Sequence, residues 1–488
     1  MSLSTALSNA LSGLNTSSLE AELISNNVAN AQTPGYTRRV AELTALSTGG
    51  SGAGVAVSGV QLMQDPAAVA NRRRSDAELG AQNVALDGLS RIAGSLGVPG
   101  EGTALADLAA SFETSLLAAA NDPGSTTRLS NAVTSAVRYG DALTSLSTET
   151  QRVRMDADAE IATQVAQVNE NLASIDVLNR EIQMLSISGG DASALIDARK
   201  ALIDQVSSVL PIRSSARPNG EVALYTAGGA QLLDGRAATL GFTAKPVITQ
   251  DMTLGSGALS GLTLNGKPLS VGAPDGSGQA DGGSLGALFV QRDTTMPEFA
   301  NQLDALAADL VNRFQDPAID GTRAVGDPGL FTDNGGAFSA VDIEGLAGRL
   351  SVNAAVDPAE GGAVWRLRDG LGAATTGDSG DGRLLDTLST AAWQRLAPDP
   401  SLGFTGSGGV ADFAASLTSV VAGREQQAEG RVAYTSALNT ALRSEEIAVS
   451  GVNTDNELQK LLMVEKSYAA NAFVLSTVDN LIQRLLEI

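Results

Sequence analysis

The chain has 488 residues, with 32 basic and 54 acidic side chains giving a formal net charge of −22, and it contains neither histidine nor cysteine. That balance argues against nucleic-acid or anionic-membrane partners, which need clustered Lys and Arg to displace counterions; Arg72-Arg73-Arg74 is the longest basic run. The missing residue types remove zinc sites, thiol nucleophiles, disulfides and imidazole acid–base chemistry, leaving an enzyme only carboxylates, Ser, Thr, Lys or Tyr.

The length predicts two to four domains, and 3 % aromatic against 43 % hydrophobic residues predicts thin, aliphatic cores. From the N-terminus Leu3, Leu7, Ala10, Leu14, Ser17, Ala21, Ile24 and Val28 recur at steps of four and three, the seam of a helix packing on other helices. At 1.5 Å per residue this helix spans about 40 Å. Thr33-Pro34-Gly35 ends it as a turn. No basic region followed by an apolar block opens the chain, and no stretch approaches the roughly 20 apolar residues of a membrane helix. A cleavable signal and membrane insertion are therefore not expected.

Residues 36–75 read as a connector, with Gly49-Gly50-Ser51-Gly52 as a flexible turn before the alternating strand Val55–Val60. Residues 76–210 read as helical body. Within it one long element over 126–186 carries Ile161, Val165, Val168, Leu172, Ile175, Ile182 and Leu185, broken by Gly189-Gly190, with Asp191 capping the next helix and Pro211 closing it. From 211 to 283 the period becomes two, and Asn265-Gly266 is a strong hairpin signal, so an inserted antiparallel β domain is expected. Helix resumes over 284–315, interrupted at Pro297. Residues 316–381 are Gly/Asp-rich, with Arg349–Val352 and Val364–Leu367 as strand candidates. Residues 382–450 return to helical body, with Phe413, Leu417, Val420 and Val421 on one face.

The C-terminal segment 451–488 repeats the opening rhythm in Leu461, Val464, Tyr468, Asn471, Leu475, Val478, Ile482 and Leu485. Chain ends are usually polar and frayed, yet both ends here carry an apolar stripe that one helix cannot bury alone. The two helices either pair with each other or pack on neighbouring subunits. The fold class expected is α+β and multidomain: an elongated helical bundle or coiled-coil body formed by both chain ends, with the β domain inserted.

Chemical motifs are weak. Asp275–Gly278 and Asp378–Gly382 lack the ligand spacing of a calcium loop, Gly321–Gly326 lacks the Lys of a phosphate loop, and no strand–helix nucleophile elbow is present. Glu445-Glu446 reads as a solvated helix face, Asp197 and Arg199 as salt-bridging groups, and Tyr36 and Tyr468 as packing anchors. Neither a catalytic residue nor a cofactor or metal site is expected.

The segment Ile24-Ser25-Asn26-Asn27-Val28-Ala29-Asn30-Ala31-Gln32-Thr33-Pro34-Gly35-Tyr36-Thr37-Arg38 resembles the N-terminal signature of bacterial flagellar axial proteins. Ser450–Glu457 and Leu461–Ala472 are similar to the end of the same proteins. With Leu195–Lys200 and Gly283–Leu288 the resemblance is to the FlgK-type hook-associated family. It implies an extracellular flagellar adaptor joining hook to filament as a homo-oligomeric tubular ring, exported without a cleavable signal by the flagellar type III apparatus. The partners implied are hook protein, a second junction protein (hook-associated protein 3) on the filament side, and an export chaperone at the C-terminal helix.

Under that resemblance residues 1–35 and 451–488 line an inner tube. Leu3, Leu7, Leu14, Ile24, Val28, Leu461, Val464, Tyr468, Leu475, Val478, Ile482 and Leu485 are the expected subunit contacts. The alternatives are a hook or distal-rod axial protein, which would lack the long helical stretch 126–210, and a secreted carboxylate-dependent hydrolase, which would need a concave acidic pocket.

Overall fold

The computed structural model describes residues 3–48, 51–273 and 276–486, so Gly49, Gly50, Asp275 and Ile488 lie outside the described residues. Helix α1, Leu3–Ala29, leads into a hairpin of β1, Arg39–Thr48, and β2, Ser51–Leu62. Four helices follow: α2, Pro66–Leu96; α3, Leu105–Asn121; α4, Thr126–Ser188; and α5, Ser193–Val209. Strands β3, Ile212–Ala216, β4, Val222–Thr226, β5, Gln231–Asp234, and β6, Arg236–Ala237, form an antiparallel sheet in that order. A second small sheet contains β7, Leu240–Gly241, β8, Thr263–Leu264, and β9, Lys267–Pro268.

Helix returns as α6, Gly283–Val290, a π-helical turn, Gln291–Thr295, and α7, Met296–Gln315. Strand β10, Phe331–Asp333, pairs with β11, Leu350–Val352, around the short helix α8, Leu346–Arg349; one further helical turn, α9, covers Arg366–Asp369. The chain ends with α10, Arg383–Trp393, α11, Val410–Ser450, and α12, Thr454–Leu486. Among the described residues 61 % are helical, with small antiparallel sheets, an α+β architecture.

Local chemistry sets these boundaries. Helix α2 starts at Pro66 rather than near 76 because Pro66 occupies the first helical position and Asp65 Oδ1 accepts the Ala67 N–H at 2.8 Å. Helix α4 runs unbroken until Gly189, whose φ of +73° ends it, and Asp191 Oδ1 accepts both the Ser193 N–H and its hydroxyl. Asn265 and Gly266 both take positive φ, the turn that joins β8 to β9. Pro297 sits in the first turn of α7 after the π turn, so 283–315 continues through it. Residues 364–367, expected as strand, instead turn helical: the N–H groups of Leu367 and Arg368 donate to the Val364 and Trp365 carbonyls.

The chain folds into two compact units. The first comprises Met1–Leu79, Ala166–Leu240 and Thr435–Ile488; the second comprises Gly80–Val165 and Gly241–Tyr434. The β segment expected as one inserted domain is thus divided after Leu240. Its first sheet is tied to α4, where Asn179 Nδ2 donates to the Val222 carbonyl at 2.9 Å. The segment after it is held in the second unit by Arg154, whose guanidinium donates to the Thr249, Met252 and Arg292 carbonyls. Residues 316–381 also belong to the second unit, contributing Leu330, Phe331, Phe338, Leu346, Val356 and Leu367 to its core.

Nine of the ten phenylalanines and both tryptophans fall in the second unit. Phe112 packs on Phe314 and Phe331 with ring centroids 5.7 and 5.4 Å apart. The thin aliphatic core expected from composition therefore describes the first unit, built on Leu172, Ile175, Ile182, Ile203, Val206, Leu224 and Leu233. It does not describe the second, where a scarce residue type is concentrated.

Candidate assembly surface of the terminal helices

In the first unit α1 packs along α12 and on the β1–β2 hairpin. Gly13 permits the close approach, since a Cβ there would lie 2.5 Å from Asn471 Nδ2. On the hairpin side the Val55 N–H donates to Ser12 Oγ at 3.2 Å. The two chain ends thus pair with each other, one of the two outcomes left open by their periodicity.

The pairing treats the twelve expected contact residues unequally. Ile24 and Val478 are buried, and Leu3, Leu14, Val28, Leu461, Val464, Leu475 and Ile482 are half-buried within the single chain. Leu7, Tyr468 and Leu485 stay exposed, at 36, 49 and 61 %. The rhythm of fours and threes marked mainly the seam between the two ends. What it missed is the rest of α12: Leu458, Leu462, Met463, Phe473, Val474 and Leu481 are exposed, Phe473 at 74 %. At about 100° per residue these positions lie around the helix away from the Leu461–Ile482 seam. The one partner helix leaves these apolar side chains uncovered, interspersed with exposed Lys466, Asn480 and Arg484. The signal was in the sequence, as apolar residues between the seam positions.

At one end of the pair the signature residues converge on Asn27, which is 1 % exposed. Its Nδ2 donates to Glu457 Oε2 at 3.0 Å and to the Arg39 carbonyl at 2.8 Å. Its Oδ1 accepts the Tyr36 hydroxyl at 2.8 Å and the Arg39 N–H at 2.9 Å. All four hydrogen-bonding positions of the amide are used, as a buried amide requires. Lys460 Nζ lies 2.6 Å from Glu457 Oε1, and the Arg38 N–H donates to the Ser450 carbonyl. Burial pushes the Tyr36 hydroxyl up, with the nearby Arg39 charge opposing it.

Helix α5 supplies the remaining ties. Asp197 meets Arg39 at 3.3 Å; Arg199 Nη1 donates to Asn179 Oδ1 and the Gly220 carbonyl, both at 2.7 Å; Lys200 meets Glu446 at 2.7 Å. Asp197 and Arg199 are structural groups, though not with each other. Burial lowers Arg199 to about 10. Glu446 is buried rather than solvated, and only Glu445 is exposed. The short basic run proves to be central: Arg72 reaches Glu446, Asp76 and Asp204 at 2.7, 2.7 and 2.8 Å, and Arg73 reaches Asp204. Asn439 and Arg443 add hydrogen bonds to Asp76.

A concave acidic pocket of about 380 Å³ does exist in the second unit, lined by Asp320, Asp369, Asp378, Asp381, Arg368 and Arg383. Its carboxylates are already engaged by neighbouring groups. Asp369 is forked on Arg368 and lowered by it, Asp381 is held at about 2 by Arg383, and Asp320 accepts the Thr322 and Leu371 N–H groups. A general acid needs the opposite shift. Asp378 caps the Gly380 N–H as a turn residue, and no three acidic side chains among the described residues converge on a metal position.

Residues 89–331 match the family described as the flagellar hook-associated protein FlgK helical domain. Residues 7–37 match flagella basal body rod protein, and residues 444–488 match the flagellar basal body rod FlgEFG protein C-terminal region. Flagellar hook-associated protein 1 of Bacillus subtilis (strain 168) is 23 % identical over 94 % of this chain and 93 % of its own length. The chain is similar to FlgK-type hook-associated proteins over nearly its whole length. Family members from Escherichia coli (strain K12) and Salmonella typhimurium are 25 and 28 % identical, each over 67 % of this chain and 59 % of the relative. The chain therefore spans less than two thirds of those two relatives. The solved structure of the flagellar hook junction protein FlgK from Burkholderia pseudomallei aligns with 54 % of this chain and 46 % of that one, at 18 % identity and a TM-score of 0.42. Asn27 and Tyr36 lie in the match to flagella basal body rod protein and Glu457 and Lys460 in the match to the rod C-terminal region, so the node joins the two matched ends.

Proposed function

We propose that the chain is a structural adaptor of the bacterial flagellum that joins hook to filament, assembling with copies of itself into a tubular ring. One observation carries this reading: α12, already paired with α1, still presents Leu458, Leu462, Met463, Phe473, Val474 and Leu481 to solvent. An apolar surface left on both flanks of a helix is covered by other chains in an assembly. The likeness to flagellar hook-associated proteins supports the flagellum as that assembly. Hook protein and hook-associated protein 3 are the proposed neighbours along the axis. An export chaperone covering α12 beforehand fits the same surface, and export by the flagellar type III apparatus places the chain in the extracellular part of the flagellum.

The test is addition of the purified chain to isolated hooks. The wild-type chain adds to hook ends, whereas Leu462→Ser/Phe473→Ser folds with wild-type helicity and fails to add. Wild-type addition by that double variant would remove α12 from the interface.

A further inference from the structure

The tie that Arg39 makes between the terminal helices and α5 is looser than the ties of Arg72. Arg72 spends Nε, Nη1 and Nη2 on three carboxylates at 2.7–2.8 Å. Arg39 reaches Asp197 through one contact, Nη2 to Oδ2 at 3.3 Å, and its Nε and Asp197 Oδ1 are both buried without a partner. Its guanidinium also stands 4.9 Å from the Tyr36 ring centroid. The backbone of the same residue is fixed, because Asn27 takes both its N–H and its carbonyl. On the other side Asp197 belongs to a helix held by Lys200 on Glu446 and by Asp204 on Arg72 and Arg73. On the α5 side the slack lies in this side-chain pair between two pinned backbones; on the α12 side the adjacent Arg38 stands 3.9 Å from Glu457, its Nε also buried without a partner.

A buried donor without an acceptor beside a buried acceptor without a donor leaves one hydrogen bond unmade. A guanidinium and a carboxylate have a better arrangement available, the two-point fork that uses Nε and both oxygens. We propose that Arg39 is a two-seat joint. Its guanidinium exchanges between the present seat, shared by Tyr36 and one oxygen of Asp197, and a forked seat on both oxygens. The exchange lets the α1–α12 pair re-seat on α5 while the Asn27 node stays closed. The use of such movement, adapting the pair to the pose its neighbours impose, rests on the adaptor reading; the joint itself does not.

The experiment is nitrogen relaxation dispersion on arginine Nε–H groups of the full chain. Arg39 shows microsecond-to-millisecond exchange and Arg72 shows none. Asp197→Asn removes the fork and abolishes the exchange, while amide protection in α1 and α12 changes less than about threefold. Arg39→Lys, which keeps the charge but cannot fork, abolishes matching exchange at the Asn27 side-chain amide. A single, exchange-free Arg39 signal, or exchange unchanged in Asp197→Asn, overturns the proposal. A chain that shows the joint but never adds to hooks refutes the adaptor reading alone.

Discussion

Asn27 and Glu457 stand 430 positions apart in sequence and meet at 3.0 Å, both 1 % exposed, so that the opening helix of the chain is fastened to the closing one by a fully buried hydrogen bond. The contact is charge-assisted, and its two partners are shared with Tyr36, Arg39 and Lys460.

Removing the amide strands that whole set. Asn27→Ala leaves the Glu457 carboxylate, the Tyr36 hydroxyl and the Arg39 peptide without their partner, and is expected to destabilise the first unit by about 2–3 kcal/mol. Asn27→Asp costs more, because it sets a second carboxylate against Glu457; Glu457→Gln then recovers part of the loss. Hydrogen exchange in α1 and α12 measures both effects, with protection in the second unit as the internal reference.

Arg72 is the counter-charge for three acidic side chains. Arg72→Met strands buried Asp76 and Glu446 and part-exposed Asp204, with an expected loss of about 3–5 kcal/mol. Urea unfolding followed by exchange in α2, α5 and α11 reads it directly.

Two sets of buried carboxylates, one in each unit, respond oppositely to acid, while Asp369 and Asp381 at the surface pocket of the second unit are lowered like the first set. Burial alone would raise Asp76 and Glu446, but hydrogen bonds from Asn439, Arg72 and Arg443 to the first, and from Lys200 and Arg72 to the second, hold both below their ordinary values of 3.8 and 4.5. Their contribution is complete above those values and is lost as pH falls through the lower folded ones. In the second unit burial pushes Glu113, Asp304 and Asp309 up, so protonation relieves a penalty as pH falls through their raised values. Limited proteolysis at about pH 3 is expected to cut the first unit before the second; the reverse order contradicts the assignment.

Tyr139 is fully buried beside Phe112, and its hydroxyl has no partner. Burial drives its pKa far upward. Tyr139→Phe removes an unpaired polar group at constant shape and is expected to stabilise the second unit by about 1 kcal/mol, measured as a rise in Tm. Phe112→Ala in the same cluster costs about 3–5 kcal/mol.

Periodicity made α1, α4 and α12 legible, because each repeats one apolar seam over many turns. It also located the Asn265-Gly266 hairpin, since that turn needs residues tolerant of positive φ. It did not reveal that the terminal seams face each other, because a seam encodes a face and not the identity of what covers it. Asn27 and Glu457 were hidden for a similar reason. A buried polar residue looks like a surface one in sequence, and only its distant partner marks it as core. The same holds for Arg72 and Glu446, which composition assigns to solvent and three converging helices bury.

The most direct measurement is electron microscopy of cells lacking this chain. Hooks ending bare, with filaments restored by the wild-type chain and not by Leu462→Ser/Phe473→Ser, is the expected result. Full-length filaments on hooks in the absence of the chain would contradict its role as the junction.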